Sequence, residues 1–118
     1  VVEGRISLNE FVALTSTNHA KLYGLYPQKG SIAPGFDADI VLWDPNRKET
    51  IRQELMHHGA DYTPYEGMAV TGWPSLTMLR GKIVAEDGKV IGEKHDGRFL
   101  KRQLSPYAIP IGKPAWDH

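Results

Sequence analysis

The apolar residues of this chain come in runs no longer than about four, such as Ile40-Val41-Leu42-Trp43, with Gly, Pro, Asp and Asn punctuating the sequence between them. A membrane-spanning helix needs roughly 20 apolar residues in succession and is excluded. Short runs between turn-forming residues restrict the chain to short elements. Its 118 residues leave room for one modest domain. A complete (β/α)₈ barrel takes roughly 250 residues and does not fit. The 14 Lys+Arg balance the 14 Asp+Glu, so there is neither a basic footprint for nucleic acid nor a disordered acidic block. Without Cys the chain has no disulfides, thiolate metal sites, thiol nucleophiles or iron–sulfur clusters, and a cytosolic home is permitted. The opening Val1-Val2-Glu3-Gly4-Arg5 lacks a signal pattern and does not begin with Met, and it reads as cut from a longer chain.

The first quarter carries helical signals. Ser7-Leu8-Asn9-Glu10 is a capping box, in which hydroxyl and carboxylate each satisfy an exposed amide. Leu8, Phe11 and Val12 follow at i, i+3 and i+4 and form one apolar stripe. A second start at Thr15-Ser16-Thr17 leads through His19 to Tyr23, and Gly24 is a left-handed stop. Two short helices meeting at a hydroxyl-rich joint are therefore expected.

From Gly30 the punctuation is that of a sheet. Ile40 to Trp43 reads as a buried strand, bounded by Asp37-Ala38-Asp39 and Asp44-Pro45-Asn46. Lys48 to Gln53 reads as a second, more exposed strand, and Leu55 to Gly67 as a loop. Met68 to Thr71 is a further strand, broken at Gly72-Trp73-Pro74 before another begins at Leu76. Arg80-Gly81-Lys82 is a tight connection into Ile83-Val84-Ala85, and Asp87-Gly88 is a hairpin signal before Val90-Ile91. Pro106, Pro110 and Pro114 predict an extended tail. The chain is thus of mixed α and β class: helices, then a small antiparallel sheet with open edges, then a tail.

Few residues invite a chemical role. His57 and His58 are adjacent, so their rings diverge on a strand or a helix and cannot both reach one metal ion. His19 belongs to a helix, His95 to a turn and His118 to the terminus, and no zinc site assembles from them. Asp37 and Asp39 would share one side of an extended segment, as an acid–base pair does, but Asp is also a preferred turn former. Asp61, Tyr62, Tyr65 and Glu66 form a polar–aromatic cluster that suits either a ligand or a loop folded over a sheet edge. Gly24, Gly30 and Gly35 lack nucleotide-cradling spacing, and Ser16 and Ser31 lack a nucleophile-elbow context. No catalytic, cofactor-binding or metal-binding residue is assigned.

The stretch Gly30-Ser31-Ile32-Ala33-Pro34-Gly35-Phe36-Asp37-Ala38-Asp39-Ile40-Val41-Leu42-Trp43-Asp44 resembles a hallmark of the amidohydrolase superfamily. There the pattern marks the chain leaving a catalytic barrel and entering a small β-sandwich. Ala13 to Leu25 looks like the last barrel-associated helix, although many relatives carry Pro where His19 stands. Asp61-Tyr62-Thr63-Pro64-Tyr65-Glu66-Gly67-Met68, Thr71-Gly72-Trp73-Pro74, Arg80-Gly81-Lys82-Ile83-Val84 and Gly97-Arg98-Phe99-Leu100-Lys101-Arg102 are together similar to the dihydropyrimidinase and D-hydantoinase group.

The resemblance implies a fold and a parent activity. Residues 1–28 would be the last helices of a TIM-type barrel, 29–104 an incomplete small antiparallel β-sandwich, and 105–118 an extended Pro-containing tail. Enzymes of the group hydrolyse cyclic amide rings with two divalent metal ions, usually zinc, that polarise the carbonyl and supply a hydroxide. The implied ligands are histidines, a carboxylated lysine and an aspartate on barrel strands upstream of Val1, so the isolated chain is expected to be inactive and architectural. Its implied partners are the missing barrel and N-terminal strands, and a second subunit reached by the tail; nucleic acid and membrane are not among them. Two alternatives stand beside this reading: a non-catalytic assembly relative of the same fold, and a free-standing small β domain.

Overall fold

A computed structural model describes residues 1–108 and 112. Two compact units divide the chain: Val1–Asp37 together with the chain from Gly97 onward, and Ala38–Asp96.

In the first unit the expected capping box is present. Ser7 Oγ accepts from the Glu10 amide at 3.2 Å, while Glu10 Oε2 accepts from the Ser7 amide at 2.7 Å. Helix α1 (Leu8–Val12) then runs through a wide π-helical turn (Ala13–Thr17) into α2 (Asn18–Leu22). This corrects the expected pair of helices, because the backbone stays right-handed helical at Val12, Ala13, Thr17 and Asn18. The hydroxyls of the supposed joint are used sideways rather than as caps. Thr15 Oγ1 donates to the Phe11 carbonyl four residues back at 2.7 Å, and Thr17 Oγ1 donates to the Gly30 carbonyl at 2.6 Å.

The helical run stops where expected. Gly24 has φ +69°, and the Leu25 and Tyr26 amides both donate to the Ala20 carbonyl. Ala20 is the buried apolar residue among those described, and it lies against Gly30, where an added Cβ would come within 2.5 Å of its methyl. The expected stripe is not covered within this unit: Leu8 and Val12 are exposed and Phe11 is half-buried. Residues 29–37 and 97–104, counted with the sheet in the sequence reading, fall in the helical unit. Asp37 donates its amide to the Gln28 carbonyl at 2.9 Å, and the Gln103 amide donates to the Gly24 carbonyl at 2.9 Å. Ser105 Oγ donates to the Lys21 carbonyl at 2.6 Å, and a 3₁₀ turn covers Pro106–Ala108. The remainder of the expected tail, Gly112 apart, lies outside the described residues.

The second unit is one antiparallel sheet in the order β1 (Ile40–Thr50), β2 (Ala69–Leu79), β3 (Lys82–Glu86) and β4 (Lys89–Val90). Two expected strand pairs are single interrupted strands. On β1, residues 45–47 bulge between the Asp44↔Trp73 and Lys48↔Thr71 pairs, and Asp44 Oδ1 holds the bulge by accepting from the Asn46 and Arg47 amides. On β2, Ser75 is the extra residue between Leu42↔Leu76 and Trp43↔Pro74, and its hydroxyl donates to the Leu42 carbonyl at 3.3 Å. Pro74 therefore sits beside a bulge, where its missing N–H interrupts little.

Both tight connections hold as expected, with left-handed pairs at Arg80-Gly81 (φ 49° and 81°) and Asp87-Gly88 (φ 45° and 78°). The expectation that Ile40 to Trp43 is buried is corrected. β1 is an edge strand, and Val41, Leu42 and Trp43 are 45%, 49% and 50% exposed. β1 and β4 are the two edge strands, and no second layer of strands belongs to this unit.

Candidate functional site

Each described histidine has its own local surroundings. His57 Nε2 lies 2.9 Å from the Gly88 carbonyl and ties the loop after β1 to the β3–β4 turn. His58 and His95 are exposed. His19 stacks on Tyr23 one helical turn away, with ring centroids 6.2 Å apart. His118 lies outside the described residues.

Asp37 and Asp39 hold backbone and neighbours rather than forming an acid–base pair. Asp37 Oδ2 accepts from Lys29 Nζ at 2.8 Å and from Gln28 Nε2 at 3.1 Å, with Arg98 Nη2 3.9 Å from Oδ1. The Lys29 bond, above all, holds this carboxyl below the usual carboxylate range. Such a group is a weak base at neutral pH. Asp39 Oδ1 accepts from the Arg80 amide at 2.8 Å and braces the β2–β3 connection.

In the polar–aromatic cluster, Glu66 braces the turn that precedes the loop. Glu66 Oε2 accepts from the Gln53 amide at 2.7 Å, and Gln53 Nε2 donates to the Ala60 carbonyl at 2.7 Å. Thr63 is buried and its hydroxyl accepts from the Tyr65 amide at 3.3 Å. Tyr62 and Tyr65 point to solvent, with 68% and 56% of their surface exposed. The Glu66 carboxylate is thus engaged with the turn before the loop, while both tyrosine rings are open to solvent.

Sequence reasoning missed the hub at Asp96. Its Oδ1 lies 2.9 Å from Lys82 Nζ, its Oδ2 accepts from the Glu93 amide at 2.6 Å, and its carbonyl accepts from Arg80 Nη2. The Lys82 bond is the main cause that lowers the Asp96 carboxyl and raises the Lys82 ammonium from their ordinary values. The local spacing Glu93-Lys94-His95-Asp96-Gly97, an Asp closing a four-residue turn before Gly, was the available signal.

An open groove of about 350 Å³ lies across Lys48, Glu49, Thr50, Ala69, Val70 and Thr71, with one cation and one carboxylate and no imidazole. Among the described residues no group of three or more His, Cys, Asp or Glu side chains could hold a metal ion. No helix among them is long and apolar enough to cross a membrane.

Residues 1–84 match the model of the Amidohydrolase family. The chain belongs to the amidohydrolase family. Among curated amidohydrolases it is 53% identical over 103 residues to the D-hydantoinase of Ralstonia pickettii, a match covering 87% of this chain and 22% of that one. A solved D-hydantoinase structure superposes with a TM-score of 0.85 at 53% identity, covering 87% of this chain and 22% of the other. The L-hydantoinase (dihydropyrimidinase) of Arthrobacter aurescens superposes with a TM-score of 0.81 at 40% identity, covering 86% and 22%. This amidohydrolase chain thus spans about 22% of the length of the relatives it matches.

Proposed function

We propose that the chain is the C-terminal part of a metal-dependent hydrolase that opens cyclic amide rings, dihydropyrimidines or hydantoins, and that its own contribution is architectural. The 53% identity to a D-hydantoinase across 87% of the chain carries this reading. In it, the helical run belongs to the end of a TIM-type barrel and the four-stranded sheet is one layer of a small β-sandwich. The exposed Leu8 and Val12 on one element and Val41 to Trp43 on another support that view, since each is an apolar surface fit for a further layer. The two divalent metal ions, zinc in this reading, and their ligands belong to the parent's barrel. The parent works in the cytosol as a homo-oligomer, with the tail 105–118 reaching a second subunit.

Both a D- and an L-hydantoinase superpose on this chain with TM-scores above 0.8. In this reading the loops that set the handedness of the substrate lie upstream in the parent. The deciding experiment begins with the intact mass of the native polypeptide. It continues with ring-opening assays on dihydrouracil and 5-substituted hydantoins, and with metal analysis of the same sample. Turnover with about two metal ions per subunit is the expected result. A full-length parent that binds no metal and opens neither ring would overturn the enzymatic reading in favour of a non-catalytic assembly relative. Turnover by the 118-residue chain alone would overturn the architectural one.

A further inference from the structure

We draw no further inference here: the strongest candidate, the half-exposed apolar strip Val41–Trp43 on the edge strand β1, carries nothing because nothing in the structure shows what covers it.

Discussion

Asp96 Oδ1 lies 2.9 Å from the Lys82 ammonium, and through this contact the segment after β4 is tied back to the start of β3. The tie is reinforced at the bulged Val84, whose carbonyl accepts from both the Ile91 and Gly92 amides at 2.9 Å. Asp96 also turns its second oxygen to the Glu93 amide, so one carboxylate fixes both the course and the end of the segment.

The pH dependence follows from the directions of the two shifts. The Asp96 carboxyl is lowered, so its contribution is present above the unfolded value of about 4 and is lost as pH falls through the folded one. The Lys82 ammonium is raised, so its contribution is present below about 10 and is lost on the alkaline side. D96N should lower the urea midpoint at neutral pH, and its gap to the wild type should close as pH drops below about 4. A gap that persists unchanged in acid would mean that charge is not what the carboxylate supplies.

Gly24 and Gly35 both hold positive φ, at 69° and 93°, but their surroundings differ. A Cβ on Gly24 would fall 1.8 Å from the Gln103 carbonyl oxygen, whereas one on Gly35 would meet nothing within 4 Å. G35A should therefore cost only the left-handed strain, about 1–2 kcal/mol. G24A should cost at least about 1 kcal/mol more, because segment 103–105 must move off the end of α2. Urea unfolding of both variants checks the order, and equal losses would refute the close approach at Gly24.

The parts of this fold that were legible in the sequence are those decided within a few residues. A Ser-to-Glu capping box, a glycine stop and an Asp-Gly hairpin each close their own hydrogen bonds locally, so residue types at fixed offsets suffice to read them. Proline placement misled where a distant strand had the last word. Pro45 and Pro74 look like strand breakers, yet the β1–β2 ladder continues past both because Asp44 and Ser75 anchor bulges there. The hydroxyls at Thr15 and Thr17 look like caps, yet Thr15 bonds the Phe11 carbonyl one helical turn back, and the choice of the Gly30 carbonyl by Thr17 depends on the chain folding back. The candidate residues show the same limit. Asp37 is an equally good turn former or acid on paper, and only Lys29 and Arg98, 8 and 61 residues away in the chain, settle its use.

Ser7 and Glu10 make a reciprocal cap on an exposed helix start. S7A should lower stability by about 1 kcal/mol, and E10Q by less, since glutamine can still accept from the Ser7 amide. Thermal unfolding of the two variants tests this, with the reverse order as the contrary result.

Val41, Leu42 and Trp43 are about half-exposed on an edge strand, which is unusual for three successive large apolar residues. The 118-residue chain alone should bind an apolar reporter dye and self-associate at micromolar concentration. W43S should reduce both. In the full-length parent the Trp43 emission should be blue-shifted and poorly quenched by acrylamide. A cooperative thermal transition of the isolated chain without dye binding would instead identify it as a free-standing domain.

The proposed role of residues 105–118 can be separated from folding because their described start is anchored. Ser105 is buried and bonded to the end of α2, so a truncation placed after Ala108 leaves that anchor and the 3₁₀ turn Pro106–Ala108 in place. Removing residues 109–118 from the full-length parent should shift its mass by light scattering toward smaller assemblies, with the secondary structure retained. Cutting before Ser105 should add a loss of stability of about 0.5–1.5 kcal/mol, since the Lys21 carbonyl loses the Ser105 hydroxyl and keeps the Gly24 amide at 3.3 Å. An unchanged assembly mass after both truncations would remove the tail from the subunit interface and leave it with the anchoring role alone.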